Sequence, residues 1–474
     1  MTELSNNITQ YISSIYNETD CKNYINFVTS DPVTYIRKKK KVKENILLKK
    51  LSENDIKLEK ITGIENAFKV NSGAEWVSKT LEFALGQYYI QSISSMIPAL
   101  ILNPKGNDIV LDLCAAPGSK TTQIADLMDN NGTLISNEIK IDRIKMLVHN
   151  IDKMNVINTG VIQNRGEWLN NYYQDYFDKI LVDAPCSALG VVQKKGEVSN
   201  WWSVERLTNL TKMQLMLLTA ALKMLKTGGE IVYSTCTLTV EENESLINYI
   251  LKKYPVEIME INLPLKSHEA FTTYKGDSLN KEIQKARRIL PWEVNSEGFF
   301  IVKLRKTDDI KSTKEEKQKS PKTKLFQHNE ISHFLENISD FFGIRKNIWQ
   351  EFKFLVKGND IFFTNKNWTD PNPDIFTRIG TRFGSIDKRN VAHLHSFAAQ
   401  YLEGEINENV HYLQNDFQLK EYLKGGTIKT EPTSKGQKII KYKDYILGTG
   451  VQTGSALKSQ FPKSKRMGEI KIKN

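Results

Sequence analysis

The chain has little cysteine: its 474 residues include only Cys21, Cys114, Cys186 and Cys236. No two of them form a close CxxC pair, and none belongs to a ladder with histidine. Because disulfide frameworks and structural zinc sites need such clusters, we expect neither, and we expect no metal site. Free thiols in a reducing compartment remain available as nucleophiles. Cys21 has no informative context and is interpreted as incidental.

Long apolar runs are also missing. No stretch of about 18 apolar residues occurs, and the first residues lack a charged region followed by an apolar one. We therefore expect a cytoplasmic protein with no membrane partner. The sequence contains no internal repeat either, which argues against a solenoid.

Positive charge is in excess, with a formal net charge of +11. Such a balance favours an anionic partner, of which nucleic acid is the commonest. An AT-rich genome would also raise the lysine content of its proteins. Net charge alone therefore does not identify the partner. The length predicts two or three domains, since a single core rarely grows so large.

Four segments differ in pattern. Residues 1–75 mix polar helical pattern with basic residues and are predicted to form a small α+β domain. Strand-like and helix-like segments alternate over 76–305 at the spacing of βαβ units, which predicts a doubly wound α/β sheet. Residues 306–324 are charged and almost free of apolar side chains, as in an exposed linker. Aromatic and β-branched runs with glycine punctuation predict a strand-rich unit over 325–474.

A basic cluster lies at residues 37–43, ahead of an apolar-periodic stretch at 46–51. Such a run is commonly the solvated start of a helix. The sequence does not decide between a solvated helix start and a contact with nucleic acid.

Two cysteines follow directly on predicted buried strands. Cys186 lies in the segment 183–187 after the apolar run 179–182, and Cys236 lies in a Ser-Thr-Cys-Thr segment after the run 230–233. Ligands of open α/β sheets bind outside the carboxyl ends of the strands, so both thiols are predicted to face one crevice. Buried, inert cysteines are the alternative. The presence of two cysteines, each at the end of a strand, favours a catalytic role over inert packing.

A further strand and turn have the pattern of a nucleoside cofactor site. The strand 109–113 leads through small residues at 114–122 into a helical stretch, whose first N–H groups are free to bind a ligand. With one glycine, the turn is neither a dinucleotide fingerprint nor a P-loop. The next strand, 133–136, is followed by Glu138, whose carboxylate suits a ribose diol. Pro-Gly turns and solvated glutamates are common separately, but this order and spacing favour function.

These segments resemble the Sun/Fmu family of RNA cytosine carbon-5 methyltransferases, which use S-adenosylmethionine. The likeness covers roughly residues 30–305 and is carried by the segments 86–96, 112–121, 183–187 with Gly190, 233–237 with 241–244, and 298–300. The resemblance implies a Rossmann-like doubly wound methyltransferase sheet over 76–305. It also implies that residues 1–75 bind RNA.

The resemblance also implies roles for the site residues. Carbon 5 of cytosine is a weak nucleophile, and a thiolate that adds to carbon 6 activates it. The chemical argument alone does not decide which of the two thiols attacks carbon 6. The resemblance implies that Cys236 attacks and that Cys186 assists release of the product. Asp183 would hydrogen-bond or protonate the ring nitrogen. Lys120 would lower a thiol pKa or orient Asp183.

The implied cofactor contacts follow the same segments. Glu138 holds the ribose hydroxyls, and Asp183 lies near both cofactor and base. Where the family usually has an acid near the adenine, this chain has Asn164 and Arg165, which are taken as the adenine contacts. The turn residues surround the methionine and ribose, namely Cys114, Ala115, Ala116, Pro117, Gly118, Ser119 and Lys120. Cys114 itself is interpreted as a packing residue within the turn.

The C-terminal unit resembles the PUA-like RNA-binding module of bacterial members that act on small-subunit ribosomal RNA. The segments 448–450 and 457–466 carry this likeness. We therefore expect an RNA partner, with ribosomal RNA favoured over transfer RNA, and a monomer. A non-catalytic ribosome-assembly factor and a methyltransferase for small molecules or proteins are the alternatives. Trp201 and Trp202, with Lys194 and Lys195, are interpreted either as an RNA-stacking surface or as core packing.

Overall fold

The N-terminal segment forms a helical hairpin and a small antiparallel sheet. The computed structural model describes residues 4–194, 196, 202–310, 322–432, 434–466 and 468–471. The first elements are α1 Asn6–Ile15, α2 Glu18–Thr29, β1 Tyr35–Lys38, α3 Glu44–Glu53, β2 Lys57–Lys60, β3 Ala67–Ser72, α4 Leu81–Ala84 and β4 Tyr88–Ile90. The sheet has the order β2-β3-β1-β4. Its last strand therefore lies beyond residue 75, where the N-terminal domain is predicted to end.

Strand β1 holds part of the basic cluster. Arg37 and Lys38 are each only 4% exposed, so the solvated helix start is wrong for these two residues. The Arg37 guanidinium donates to Ser119 O at 3.1 Å and to Thr122 Oγ1 at 3.0 Å. It is buried because it joins this small sheet to the next domain.

A ten-stranded mixed sheet forms the centre of the molecule. The elements of this part of the chain are α5 Ile93–Leu102, β5 Ile109–Asp112, α6 Ser119–Leu127, β6 Thr133–Asn137, α7 Ile141–Lys153, β7 Thr159–Ile162, β8 Phe177–Asp183, α8 Val204–Met224, β9 Leu225–Thr235, α9 Leu246–Lys253, β10 Val256–Met259, β11 His268–Glu269, β12 Thr273–Tyr274, β13 Asp277–Ser278, β14 Arg287–Ile289, α10 Pro291–Val294 and β15 Phe299–Lys306. Strands β12 and β13 form a separate two-stranded sheet, and the tenth strand of the central sheet, β19 Phe376–Ile379, comes from the C-terminal segment. Strands β5 to β9 run parallel in the order β9-β8-β5-β6-β7, and β15 adds antiparallel to β9.

The parallel strands are buried because helices cover both faces of the sheet. Ile180, Leu181 and Val182 of β8 are fully buried, as the apolar run predicts. Lys306, predicted as the first linker residue, is instead the buried last residue of β15, where its ammonium pairs with Asp175. Residues 311–321 of the predicted linker lie outside the described residues.

The C-terminal segment contains two five-stranded sheets. Its elements are β16 Phe326–Gln327, α11 Ser332–Phe342, β17 Phe352–Lys357, β18 Asp360–Asn365, β19 Phe376–Ile379, β20 Thr381–Ile386, β21 Ala392–Leu394, α12 Ser396–Tyr401, β22 Val410–Tyr412, α13 Asp416–Lys424, β23 Thr427–Lys429, β24 Gly436–Tyr442, β25 Tyr445–Thr453 and β26 Ala456–Ser459. The sheet orders are β16-β17-β18-β20-β21 and β22-β24-β25-β26-β23.

Strand β19 joins the C-terminal segment to the central sheet. It pairs antiparallel with β7 and so extends the edge of the sheet. Gly160 of β7 leaves room for the ring of Phe376, which a side chain at that position would occupy. The predicted boundaries at 305 and 325 thus separate segments that share a sheet. Among the described helices, none is long and apolar enough to cross a membrane.

Candidate active site

The turn after β5 is fixed by hydrogen bonds to both neighbouring strands. Leu113 N donates to Leu181 O at 3.0 Å, and Ala115 N donates to Asn137 O at 2.9 Å. Gly118 has a φ of 107°, a conformation that side chains disfavour, and α6 begins at the next residue. The predicted turn therefore presents small residues and a helix N-terminus to one side of the sheet.

Two buried oxygen atoms at this edge have no hydrogen-bond partner among the described residues: Asp112 Oδ1 and Asn137 Oδ1. Buried polar atoms are normally paired, so a ligand with hydrogen-bond donors fits here. The other carboxylate oxygen of Asp112 accepts from Thr121 Oγ1 at 2.6 Å. Burial raises the pKa of Asp112 to about 7, against the opposing effect of that hydrogen bond. These acceptor oxygens suit a nucleoside whose amino group and hydroxyls donate hydrogen bonds.

Glu138 lies at the end of β6, where the sequence predicts a ribose-binding acid. Its side chain is 3% exposed. One carboxylate oxygen accepts from Lys140 N at 3.0 Å, and the other pairs with Arg143 Nη1 at 3.0 Å. Arg143 also donates to Ala116 O at 2.5 Å. The acid is thus oriented and tied to the turn.

Asn164 and Arg165 follow β7. Asn164 Oδ1 accepts from Arg165 N at 2.8 Å. The guanidinium of Arg165 pairs with Glu167 at 2.6 Å and lies 4.7 Å from the ring centre of Trp168. An acid is therefore present two residues after Arg165, which the spacing argument missed. The adenine contacts of Asn164 and Arg165 stay a prediction.

The two cysteines that follow β8 and β9 are brought together. Asp183 and Ser234 are paired residues of these adjacent parallel strands, so the loops beyond them begin side by side. Cys186 Sγ lies 3.3 Å from Cys236 Sγ. The hydrogen bond with Cys236, and then burial, raise the pKa of the Cys186 thiol well above its ordinary value. Cys186 is consequently held in its protonated form.

Lys120 and Asp183 form an ion pair next to the thiols. Lys120 Nζ lies 2.8 Å from Asp183 Oδ2 and donates to Ser95 Oγ at 2.9 Å. Ser234 Oγ donates to Asp183 Oδ1 at 2.7 Å. Burial opposes the charge of Lys120, but Asp183, with a smaller effect from Cys236, raises the pKa of this amine. A fixed cation thus stands by the position of a Cys236 thiolate.

Glu242 was missed by the sequence argument and connects both cysteine loops. Its buried carboxylate accepts from Ser187 N at 2.9 Å, Gln214 Nε2 at 2.8 Å and Thr239 Oγ1 at 2.6 Å, and also from the Ser187 hydroxyl. Ser187 Oγ in turn lies 2.7 Å from Thr237 Oγ1. The residues that follow the two cysteines are therefore held by one carboxylate. An acid at 242 was visible in the sequence, but its partners are up to 55 residues away.

Gly190 lets a third segment approach the thiols. Gly190 N donates to Cys236 O at 3.0 Å, and Gly298 N donates to Gly190 O at 2.8 Å. A Cβ on Gly190 would lie 2.9 Å from Cys236 O, closer than real Cβ atoms approach. The glycines of two motifs thus meet next to the loop that carries Cys236.

The N-terminal helical hairpin packs on the same loops. Tyr24 OH of α2 donates to Leu189 O at 2.9 Å, and Tyr11 OH of α1 accepts from Val240 N at 3.0 Å. These contacts span 165 and 229 residues of chain, and no local pattern signals them. The hairpin therefore supports the catalytic loops from outside the resembling segment.

Trp202 is buried at 4% exposure and packs edge-on against Tyr11, with ring centres 5.2 Å apart. The packing interpretation therefore holds for Trp202. Lys194 pairs with Glu297 at 3.2 Å. Lys195 and Trp201 lie outside the described residues.

Family models match two parts of the chain. The family described as 16S rRNA methyltransferase RsmB/F matches residues 99–305. The family described as methyltransferase RsmF PUA domain matches residues 408–467. The second match lies inside the segment predicted to be PUA-like.

Relatives cover different shares of the chain. A tRNA (cytosine(49)-C(5))-methyltransferase of Pyrococcus abyssi is 36% identical over 260 residues, 55% of this chain and 83% of the relative. A ribosomal RNA small subunit methyltransferase F of Vibrio cholerae is 29% identical over 420 residues, 87% of this chain and 86% of the relative. A crystal structure of a methyltransferase homolog protein from Pyrococcus horikoshii matches with a TM-score of 0.54 and 29% identity, over 64% of this chain and 100% of that one. The predicted fold class is confirmed.

Proposed function

Because the chain belongs to the RsmB/F family of RNA methyltransferases, we propose that it methylates carbon 5 of a cytosine in RNA, with S-adenosylmethionine as cofactor. The observation that carries this proposal is the 3.3 Å approach of Cys186 to Cys236 beside the Lys120–Asp183 ion pair. Carbon-5 chemistry needs a nucleophile, an acid and a means of release in one place.

Cys236 is the proposed nucleophile. Its thiolate forms a bond to carbon 6, and the ring electrons move toward the ring nitrogen while carbon 5 becomes nucleophilic. The Lys120 ammonium lies close to this sulfur, and Cys236 is one of the groups that raise the pKa of the Lys120 amine. Cys186 is less suited to attack, because its raised pKa keeps it protonated.

Asp183 is the proposed partner of the ring nitrogen. Lys120 and Ser234 hold its two oxygens at 2.8 and 2.7 Å, so the carboxyl group cannot rotate freely. The Asp183 carboxyl group and the Lys120 ammonium form one hydrogen-bonded pair, and this pair stabilises the ring nitrogen as electrons arrive.

The cofactor supplies the methyl group for carbon 5 when it is bound. We assign its ribose hydroxyls to Glu138 and its adenine side to Asn164 and Arg165. The unpartnered Asp112 Oδ1 and the N-terminus of α6 face the same turn. The remaining contacts are assigned to the turn residues Cys114, Ala115, Ala116, Pro117, Gly118, Ser119 and Lys120.

Cys186 is the proposed release group. After carbon 5 has been methylated, a base removes its proton and the bond between carbon 6 and Cys236 Sγ breaks. The Cys186 thiol, hydrogen-bonded to Cys236 Sγ, stabilises the departing thiolate. This role needs a protonated neighbour, which the raised pKa of Cys186 provides.

Small-subunit ribosomal RNA is the proposed substrate. The ribosomal relative aligns with 87% of this chain, whereas the tRNA relative aligns with 55%. Separately, the family described as methyltransferase RsmF PUA domain matches residues 408–467. A recognition module shared with the ribosomal enzymes supports a shared class of RNA.

The test uses full-length wild type, Cys236→Ala and Cys186→Ala with total RNA and S-adenosylmethionine labelled in its methyl group. Wild type should place label in 5-methylcytosine. Cys236→Ala should transfer none while it still binds the cofactor. Cys186→Ala should accumulate a covalent protein–RNA complex on a denaturing gel.

The double variant Cys186→Ala, Cys236→Ala is the matched control, because an adduct through Cys236 must disappear in it. Cys21→Ala controls for loss of a thiol outside the site and should behave as wild type. Normal turnover by Cys236→Ala would refute the assigned nucleophile. Cofactor binding without label in any cytosine would favour the non-catalytic assembly factor.

A further inference from the structure

A cleft of about 530 Å³ lies away from the active site, between the sheet of β17 and β18 and the strand β19. Phe326, Phe362 and Phe376 line it together with Lys357 and Arg378. We call this the aromatic cleft. Its volume falls within the range of about 300–1,000 Å³ that is typical of ligand sites.

The three phenylalanines are half-buried: Phe326 and Phe376 also pack against hydrophobic cores with part of their surface, and the rest of each ring lines the cleft. Phe362 pairs with Leu355 across β17 and β18, on the face opposite the fully packed Phe354 and Phe363. A concave group of partly exposed rings is unusual on a protein without a ligand for it. Aromatic side chains of this kind are the surfaces on which unpaired nucleobases stack.

The cleft is also cationic. Its described lining includes Lys322, Lys324, Lys357 and Arg378, and no carboxylate. Nearby acids compensate three of these cations: Arg378 pairs with Asp152, Lys324 pairs with Glu330 at 2.5 Å, and Lys322 lies near Asp374 and lowers the pKa of its carboxyl group. Lys357 forms no ion pair with the residues that the structure describes, and it is exposed at the end of β17. Its charge is available for a phosphate group.

The position of the cleft excludes the target cytosine as its occupant. Strands β9 and β19 are five places apart in the central sheet, which at the usual strand spacing is roughly 24 Å. Cys236 follows β9, and Phe376 begins β19. A ligand in the cleft is therefore a different part of the substrate from the reacting base.

We propose that the aromatic cleft binds an unpaired nucleotide of the substrate RNA, with the base against Phe362 and Phe376 and the backbone phosphate near Lys357. The inference rests on the proposed RNA substrate but not on the cysteine chemistry. Stacking accepts any base, so the cleft anchors a single-stranded segment without reading its sequence.

The first test measures the affinity of the full-length protein for a labelled oligouridylate of 12 nucleotides by fluorescence anisotropy. This probe has no cytosine and cannot react with Cys236. Phe362→Ala should raise Kd roughly tenfold, because one stacking surface is lost. Phe341→Ala is the matched control: Phe341 is 40% exposed on α11, outside the cleft lining, and its loss should leave Kd unchanged.

A second variant tests the proposal independently of whether Phe362→Ala folds. Lys357→Gln removes an exposed charge and should lower the slope of log affinity against log salt concentration by about one. Unchanged binding by both Lys357→Gln and a folded Phe362→Ala would refute the proposal and assign the cleft to a protein contact. If Phe362→Ala melts early, the salt slope of Lys357→Gln decides alone.

Methyl transfer separates this inference from the proposed function. With saturating RNA, Phe362→Ala should keep the wild-type kcat and show a raised KM, because the cleft binds and does not react. If the wild type methylates no cytosine, the proposed function fails, while the oligouridylate measurements still decide the cleft.

Discussion

The crevice beside Cys186 and Cys236 and the aromatic cleft differ in how one lysine of each, Lys120 and Lys357, is held. In the crevice, the Lys120 side chain is 9% exposed and fixed between Asp183 and Ser95 at 2.8 and 2.9 Å. In the cleft, Lys357 is exposed and the phenylalanine rings are half-buried. Polar groups fixed before the substrate arrives serve reaction, whereas open rings and mobile charges serve attachment. Substitutions in the crevice should therefore change kcat, and those in the cleft should change RNA affinity.

The largest effect expected within the crevice, after loss of the nucleophile, is that of Asp183→Asn. The amide cannot carry a proton to the ring nitrogen, so kcat should fall about 100- to 10,000-fold while RNA affinity is retained. Single-turnover methyl transfer and oligouridylate binding measure the two quantities. Asp178→Asn, at the other end of β8, is the control and should keep kcat. If Asp183→Asn also lost RNA affinity, the expectation that crevice substitutions change kcat and not RNA affinity would be wrong.

Glu242→Gln tests whether the crevice is fixed in advance. The amide group of glutamine would meet donors on every side, so at least one hydrogen bond to Ser187, Gln214 or Thr239 must be lost. We expect the free energy of unfolding to fall by about 2 kcal/mol and kcat to fall roughly tenfold, with KM unchanged.

Chemical denaturation and steady-state kinetics check this expectation. The control is Glu257→Gln on β10, whose side chain is 54% exposed and outside the crevice. Lowered stability with a normal kcat would mean that Glu242 supports the fold but does not position the cysteine loops.

The smallest effect concerns the pH dependence of stability. The pKa of Asp112 is raised from 3.8 to about 7 in the folded chain, chiefly by burial. Between these values the unfolded chain has lost a proton that the folded chain keeps, so stability falls as pH rises from about 4 to 7. Asp112→Asn lacks this penalty, and its free energy of unfolding relative to wild type should increase over that interval, by at most about 4 kcal/mol.

Denaturant titrations at several pH values measure the difference. Thr121→Val is the companion variant: it removes a hydrogen bond that lowers the pKa of Asp112, so the loss of stability should still begin near pH 4 but should continue to a higher pH than in wild type and be larger in total. A constant difference between Asp112→Asn and wild type from pH 4 to 7 would contradict a buried, largely protonated Asp112.

Strand ends were the most predictable part of the molecule. The buried runs of β5, β8 and β9 are continuous in sequence, and parallel neighbours must place Lys120, Asp183 and both thiols at one edge. The burial of Arg37 was not predictable in the same way. A run of cations is solvated unless distant atoms accept its hydrogen bonds, and the acceptors of Arg37 are 82 and 85 residues away.

The C-terminal segment shows the same limit. Its strand character follows from β-branched and aromatic runs, and β18 and β24 lie where these runs predict them. The pairing of β19 with β7 depends on the space that Gly160 leaves for the ring of Phe376. A glycine in the sequence does not indicate which distant residue will pack over it.

The sequence by itself determined the sheet, the small-residue turn after β5 and the pair of cysteine loops, because these depend on local apolar runs and on residues adjacent to strand ends. Only the tertiary structure decided how the site is held and where the aromatic cleft forms. The Glu242 carboxylate, the N-terminal hairpin and the meeting of β18 with β19 join residues from distant parts of the chain. Such contacts come from packing and from the need to pair buried polar groups, and neither leaves a periodic signal along the sequence.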